Sequence, residues 1–295
     1  EEYRSWLDTV LADEQEARDN LQLFIHSSGP IVEKFATDDE KAALRDEVIR
    51  PLLAAEGDER VNLLLRLDSL YGWLDAQKAV LGEEGELSSG QQQWLQARVE
   101  AHREKLNSYQ RHAALNTIWQ LYYDAGLEQP ARDALEEGIA TSSQPYYFMS
   151  GMGYIEREAG NPEAAIDWYR KSWQASSGQA TRIQWGSSYL RILLTLSPDD
   201  LETIGATGDE LINALKSQEQ GLAQRNSGGV RRIGLAMEEW LQPTQDATTS
   251  AEQRGAIATR CRGELEPLCD RVIEDSYAIR ACASFMGEAP AEGDA

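Results

Sequence analysis

The feature that most constrains the fold is a period of 34 residues in the middle of the chain. Three positions of one segment recur 34 residues further on: Gly126, Ala131 and Leu135 correspond to Gly160, Ala165 and Tyr169. Apolar residues around them recur at helical spacing, and strand-like alternation is almost absent from the chain. A glycine that follows a helical pattern is a typical stop signal. The period therefore predicts stacked helix–turn–helix units in an all-α protein.

Thirty-four residues is the length of the tetratricopeptide repeat. In the unit with the better fit, the small residues Gly153 and Ala165 allow two helices to approach closely, and Tyr169 is expected to fill the space beside them. The preceding unit carries Trp119 where a small residue is usual, and a third unit, residues 180–200, lacks the glycine turn. Because stacked repeats need neighbours to bury their faces, we predict an α-solenoid of tetratricopeptide-like repeats with irregular flanking helices.

The rest of the chain has helical patterning without a clear period. Capping signals predict four helix starts: Thr37 with Glu40, Ser88 with Gln91, Asn161 before Pro162, and Ser197 before Pro198. The predicted organisation has four segments: an irregular helical region at 1–110, tetratricopeptide-like repeats at 111–217, a C-terminal helical cap with the cysteines at 218–287, and a disordered tail at 288–295. One continuous solenoid is favoured over two separable domains.

The charge balance argues against two classes of partner. Fifty acidic and 28 basic residues give a formal charge of −22, and a negative field repels nucleic-acid phosphates and anionic membrane surfaces. The longest apolar stretch, residues 190–196, is too short to span a bilayer. We therefore expect neither nucleic-acid binding nor membrane insertion. Solubility is the favoured explanation of the charge, and an acidic surface for a basic partner is the alternative.

The sequence contains no complete catalytic or metal-binding motif. His26, His102 and His112 do not occur at the i, i+4 spacing of a metal-binding pair. Gly151 and Gly153 lack the third glycine and the βαβ setting of a dinucleotide-binding loop. A P-loop and a GxSxG motif are also absent. We expect no enzyme activity, no metal and no cofactor, with an α-helical enzyme of unrecognised site as the least favoured alternative.

A candidate binding surface follows from the register of the repeats. In tetratricopeptide architecture the first helix of each unit lines the concave face, and side chains there can hydrogen-bond an extended peptide or its carboxylate. This predicted groove consists of Asn116, Gln120, Tyr123, Ser150, Tyr154, Arg157, Gln184 and Arg191. Its two arginines would form a local positive spot on an acidic protein. Nearby aromatic residues are interpreted first as repeat core and alternatively as part of the groove.

Three cysteines, Cys261, Cys269 and Cys282, lie close together near the C-terminus. None is spaced as CxxC, which argues against a thioredoxin-type redox pair and a zinc knuckle. A disulfide between Cys269 and Cys282 across a helical turn is one interpretation. Three free buried thiols in a cytoplasmic protein is the other.

Residues 142–200 contain PYYFM, DWY and QWG followed by SY, and this segment resembles the C-terminal helical region of proteobacterial thioredoxin-family proteins. In that family a thioredoxin domain precedes a tetratricopeptide-like tail. The resemblance implies a periplasmic location, an oxidised Cys269–Cys282 pair and a partner with a thioredoxin fold. The chain has no CxxC and no thioredoxin β/α pattern, so the family's redox-active cysteines have no counterparts here.

The expected function is therefore a non-catalytic module that docks an extended client for an envelope thiol–disulfide protein. Because the sequence begins within an amphipathic pattern, we expect it to be the helical part of a larger protein or a processed form. A free-standing tetratricopeptide scaffold, unrelated to redox chemistry and located in the cytoplasm, is the alternative.

Overall fold

The computed structural model describes residues 2–82, 85–218, 221–222, 225–242, 251–272 and 274–288. These residues form fifteen α-helices and no β-strand, with 82% of the chain helical. The predicted all-α class is therefore confirmed, and successive helices pack against their neighbours in a repeat-like arrangement. The chain divides into two compact units, residues 1–142 and residues 143–295, which we call the N-terminal unit and the C-terminal unit.

The described residues of the N-terminal unit form eight helices. They are α1 (Glu2–Ala12), α2 (Glu14–Asp19), α3 (Leu21–Phe35), α4 (Lys41–Gly57), α5 (Leu63–Leu81), α6 (Ser89–Arg103), α7 (Ser108–Asp124) and α8 (Glu128–Thr141). Helices α3, α4 and α5 pack against one another around the fully buried Phe24, Val48 and Leu52. A Cβ atom at Gly72 of α5 would lie 3.0 Å from the Cα atom of Ile25, so glycine allows α5 to approach α3 closely.

The C-terminal unit contains seven helices within its described residues. They are α9 (Tyr146–Glu158), α10 (Pro162–Ala175), α11 (Gln179–Leu196), α12 (Leu201–Lys216), α13 (Arg225–Leu241), α14 (Ala251–Cys269) and α15 (Ser276–Met286). One apolar core joins the last two predicted repeats to the C-terminal helices, with Ile183, Leu193, Val230 and Phe285 among its buried members. Helix α13 packs against both α11 and α15.

The 34-residue period has a physical basis in the structure. Gly126 and Gly160 follow the ends of α7 and α9 with φ angles of 78° and 74°, a backbone region that favours glycine. A Cβ atom at Gly153 would lie 2.8 Å from the Tyr169 ring, which is the close packing predicted for the second unit. The helix pairs α7–α8, α9–α10 and α11–α12 correspond to the three predicted units.

Two of the four predicted helix starts are confirmed. The Ser88 hydroxyl accepts a hydrogen bond from the Gln91 backbone N–H, and the Gln91 side-chain oxygen accepts one from the Ser88 N–H. Together they form a capping box. Helix α10 begins at Pro162 after Asn161, although no hydrogen bond of the Asn161 side chain caps the helix.

The other two predicted starts need correction. Ser197 ends α11 instead of starting a helix, because its N–H continues the helical bonding to the Leu193 carbonyl at 2.9 Å. Asp200 supplies the cap of α12, its carboxylate accepting from the Thr203 N–H at 3.1 Å. Thr37 does contact the Glu40 carboxylate at 2.8 Å, but α4 begins after this turn, at Lys41.

The boundary between the two units falls inside the predicted repeat region 111–217, between its first and second repeats. Each unit is therefore described by itself. The predicted tail, 288–295, lies outside the described residues except for Glu288. No helix in the described part of the chain is long and apolar enough to cross a membrane.

Candidate functional site

Three residues of the predicted groove lie on α7 of the N-terminal unit. Asn116 is exposed, and its side-chain oxygen accepts a hydrogen bond from Trp119 Nε1 at 3.0 Å. Gln120 and Tyr123 are half-buried. The other five groove residues belong to the C-terminal unit, and the structure brings several of them together.

On α9, Ser150, Tyr154 and Arg157 are half-buried and follow one another at spacings of four and three residues. This spacing places them on one face of the helix. Tyr147, 40% exposed, lies one turn before Ser150 and extends the same face. On α11, Gln184 and Arg191 are half-buried and two turns apart.

Tyr169 of α10 connects these two helices. Its side chain is 8% exposed; it hydrogen-bonds with Ser150 and interacts electrostatically with Arg157, Arg191 and Tyr154. Burial raises the pKa of Tyr169, while the two arginine charges act in the opposite direction. Residues from α9, α10 and α11 therefore converge on one polar site.

Helix α13 adds a third arginine, Arg232, which is exposed. Burial lowers the pKa of Arg191, and the positive charges of Arg232 and Arg157 lower it further. Arg157 forms an ion pair with Glu158 at 2.7 Å, and its guanidinium carbon lies 5.1 Å from the centre of the Tyr154 ring. We call Arg157, Arg191 and Arg232 the arginine cluster.

The arginine cluster is only partly neutralised. Among the described residues, Arg191 and Arg232 form no ion pair, although the charge of Glu239 acts on Arg191 over a longer distance. Like charges that share a half-buried site disfavour one another. A guanidinium group presents a planar fork of donors that matches a carboxylate or a phosphate. The chemistry available at this end of the site is therefore anion binding.

An aromatic cluster, Tyr146, Tyr147 and Trp185, lies at the other end of α9. The Tyr147 and Trp185 rings are 5.1 Å apart edge-to-face, and the Tyr146 ring lies 5.6 Å from Trp185. Trp185 is 8% exposed, and its Nε1 is buried without a hydrogen-bond partner. Ten residues of helix separate Tyr147 from Arg157, which corresponds to about 15 Å. The site thus has an aromatic end and a basic end.

Five residues of this site were not among the predicted groove residues: Tyr146, Tyr147, Tyr169, Trp185 and Arg232. The 34-residue period already marked Tyr169 as a packing residue, and helical spacing from Ser150 could have found Tyr147. Arg232 lies outside the repeats, so no register pointed to it.

The cavity beside Cys269 and Cys282 has no residue of the arginine cluster among its lining residues. Cys269 and Cys282 are joined as a disulfide in the structure, with their Cα atoms 5.7 Å apart. Cys261 is free and buried, and burial raises the pKa of its thiol to about 11. The redox state of the pair in the native protein remains a prediction.

Comparison with known proteins gives no family. No protein-family model matches the chain, and no curated protein matches it. A solved structure with some similarity comes from the computational design of self-assembling cyclic protein homo-oligomers. It is 10% identical over 95% of this chain and 94% of that chain, with a TM-score of 0.14. A score this low supports no inference, and the resemblance to thioredoxin-family proteins stays an expectation.

Proposed function

We propose that the chain is a non-catalytic protein-binding module whose C-terminal unit holds an extended, acidic client segment along α9 and α11. The observation that carries this proposal is the arginine cluster: Arg191 is half-buried, and the charges of Arg157 and Arg232 both lower its pKa, on a chain with a formal charge of −22. The three α7 residues of the predicted groove remain a prediction and are not needed for this proposal.

The electrostatics of the cluster favour an anionic ligand. Arg191 is half-buried, has two arginines near it, and makes no ion pair with a described residue. A client carboxylate would relieve the repulsion and accept charge-assisted, bidentate hydrogen bonds. The acidic remainder of the protein repels the same client, so binding depends on this local site and is selective for it.

The aromatic cluster provides the second contact. Tyr147 is 40% exposed beside Trp185, whose indole Nε1 has no hydrogen-bond partner within the described structure. An apolar client side chain fits against the exposed Tyr147 ring, which Trp185 supports from the core side. The span of about 15 Å corresponds to about five residues of extended chain. The favoured client segment is therefore apolar at one end and acidic at the other.

The test is a binding measurement with five-residue peptides that carry Leu or Phe at one end and Asp or Glu at the other. We expect the Arg157→Ala, Arg191→Ala double variant to bind at least tenfold more weakly by fluorescence polarisation, because two charge-assisted contacts are lost. Arg170→Ala is the matched control, since Arg170 is an exposed arginine of α10 that pairs with Asp167. Equal affinity for the double variant and the control would refute the assignment, provided that circular dichroism shows both folded.

For the cellular setting, we propose a periplasmic module that docks clients for a thioredoxin-fold protein. Support comes from the resemblance of residues 142–200 and from the Cys269–Cys282 pair. The alternative is a free-standing cytoplasmic scaffold. Intact-mass counting of blockable thiols in protein from its native compartment separates the two. One thiol before reduction and three after supports the periplasmic proposal, whereas three free thiols favour the scaffold.

A further inference from the structure

We infer that the Cys269–Cys282 disulfide is a site of thiol–disulfide exchange, at which an incoming thiol attacks the sulfur of Cys269. This inference does not depend on the binding of a client to the arginine cluster. It concerns a different part of the C-terminal unit, the cleft between α14 and α15.

The disulfide lies where the apolar core meets a surface cavity, because Cys282 belongs to the core cluster and both cysteines line the cavity. Both cysteines face a cavity of about 590 Å³, together with the apolar residues Val272, Ile279 and Met286. Ile279 is 44% exposed, so the apolar wall reaches the surface. A volume of this size is typical of clefts that admit small molecules or a short piece of a partner chain.

The two cysteine residues differ in exposure. Cys269 is half-buried at the end of α14, whereas Cys282 is 8% exposed in the middle of α15. Exchange requires that a thiolate reach one sulfur while the other leaves. The more accessible Cys269 is therefore the position of attack, and Cys282 is the leaving group.

The reaction balances without a cofactor. The thiolate of the incoming thiol forms a bond to Cys269 Sγ, the Cys269–Cys282 bond breaks, and its electron pair leaves on Cys282 as a thiolate that takes up a proton. If the incoming molecule is a dithiol, its second thiolate displaces Cys269. The protein then holds two thiols, and the dithiol has become a disulfide.

Charge at the cleft selects among thiols. The carboxylates of Glu266, Asp270 and Glu288 and the guanidinium of Arg262 line the cavity, and Arg262 is already paired with Glu238. A net negative lining attracts a cationic thiol and repels an anionic one. The cleft therefore favours a thiol with positive charge beside it.

Cys261 does not take part. Its side chain is 4% exposed, and its sulfur would lie 3.0 Å from a Cβ atom at Gly208 of α12, so it is enclosed between α14 and α12. It precedes Cys269 by eight residues of helix, about 12 Å. Cys261 can neither attack the disulfide nor be reached by an external thiol, which makes it an internal control.

The fold is expected to survive the exchange. Helix α15 packs extensively against α13, with Ala281 and Phe285 buried in the shared core. Opening the disulfide removes a link between α14 and α15 but leaves these contacts in place. The reaction can therefore be followed on the folded, full-length chain.

The experiment treats the oxidised full chain with cysteamine or with 2-mercaptoethanesulfonate, followed by acid quenching, N-ethylmaleimide blocking and peptide mapping. We expect the cysteamine adduct on Cys269, maleimide on Cys282 and no modification of Cys261. We also expect the cationic thiol to react severalfold faster at low salt, with the difference shrinking at high salt. Adducts mainly on Cys282, or reaction only in denaturant, would overturn the inference.

Variants that lack one cysteine of the pair give a second measurement, and the enclosed Cys261 is present in both. In Cys282→Ser the remaining Cys269 thiol should react with a fluorescent maleimide at least tenfold faster than Cys282 does in Cys269→Ser. Equal rates would contradict the assigned position of attack. If the untreated protein contains three free thiols, the exchange proposal fails, while peptide binding by the arginine cluster is unaffected and is judged separately.

Discussion

Two sites, one in each unit, differ in how their partly buried charged side chains are compensated. In the N-terminal unit, Glu56 is 2% exposed, lies 2.7 Å from His102 Nε2 and pairs with Arg98 at 3.4 Å. In the C-terminal unit, the half-buried Arg191 has Arg157 and Arg232 as charged neighbours and makes no ion pair with a described residue. The Glu56 site neutralises its charges internally, whereas the arginine cluster leaves Arg191 without an ion pair among the described residues.

A second network in the N-terminal unit also pairs its charged and polar groups within the protein. The Tyr122 hydroxyl donates to Glu100 at 2.5 Å, and Arg103 pairs with both Glu100 and Glu137. Burial and the Glu100 carboxylate raise the pKa of Tyr122. Polar groups that are satisfied within the protein contribute to stability and specificity. Positive charges that share a site without full compensation are better explained by a ligand that neutralises them.

The largest expected effect that tests this comparison comes from removing Glu56. Glu56→Ala should lower the free energy of unfolding by about 3 kcal/mol, because it leaves His102 and Arg98 without their carboxylate. His102 Nδ1 is already buried without a hydrogen-bond partner, so the ring would lose its Nε2 contact as well. Urea denaturation followed by circular dichroism measures the change, and hydrogen exchange locates it in α4 and α6.

Glu56→Gln is the matched control for this change. It keeps the size and an acceptor oxygen for His102 but removes the charge that Arg98 contacts. We expect a smaller loss than for alanine. Breaking a buried pair costs more than about 1 kcal/mol. If Glu56→Ala lowers the free energy of unfolding by less than this, the ion pairs of Glu56 do not stabilise the fold, and the contrast with the arginine cluster does not concern stability.

The stability of the N-terminal unit should depend on pH partly through the carboxyl group of Glu56. Burial acts to raise the pKa of Glu56, but the hydrogen bond with His102 and the charges of Arg98, His102 and Arg66 outweigh it, so the folded-state pKa lies below the ordinary 4.5. The unfolded chain then takes up the proton first. The stabilisation is present above pH 4.5 and is lost as pH falls through the lower folded-state pKa.

Denaturation curves recorded from pH 7 down to pH 3 check this prediction. Wild-type stability should fall more steeply in the acid range than that of Glu56→Gln, which has no carboxyl group to titrate at this position. Parallel pH profiles for the two proteins would mean that Glu56 has the same pKa in the folded and unfolded states.

The fold can be predicted from the sequence where one local rule decides the outcome. Gly126 and Gly160 end helices because a left-handed backbone angle favours glycine, and Ser88 starts α6 through its capping box. At Ser197 the prediction is wrong because two cap residues compete, and the apolar run of α11 continues the helix up to Leu196, so that Asp200 becomes the cap. The division after residue 142 has no marker in composition or spacing.

The candidate site can be predicted only in part, for a related reason. Helical periodicity alone puts Ser150, Tyr154 and Arg157 on one face of α9. Arg232 lies near Arg191 only because α13 packs beside α11. Residues 218–287 contain no repeat, so the sequence does not predict this packing. Trp185 of α11 likewise joins the site only through tertiary packing, which places its ring against Tyr146 and Tyr147 of α9.

The smallest expected effect on stability comes from a substitution in the arginine cluster. Arg191→Met keeps much of the aliphatic volume of the side chain and removes a half-buried charge that two neighbouring arginines oppose. The free energy of unfolding should stay within about 1 kcal/mol of wild type or rise, since no internal partner is left unpaired. Peptide affinity should fall in the same protein. A loss of stability as large as that of Glu56→Ala would instead make Arg191 a structural residue, and the unpaired charge would no longer argue for a ligand.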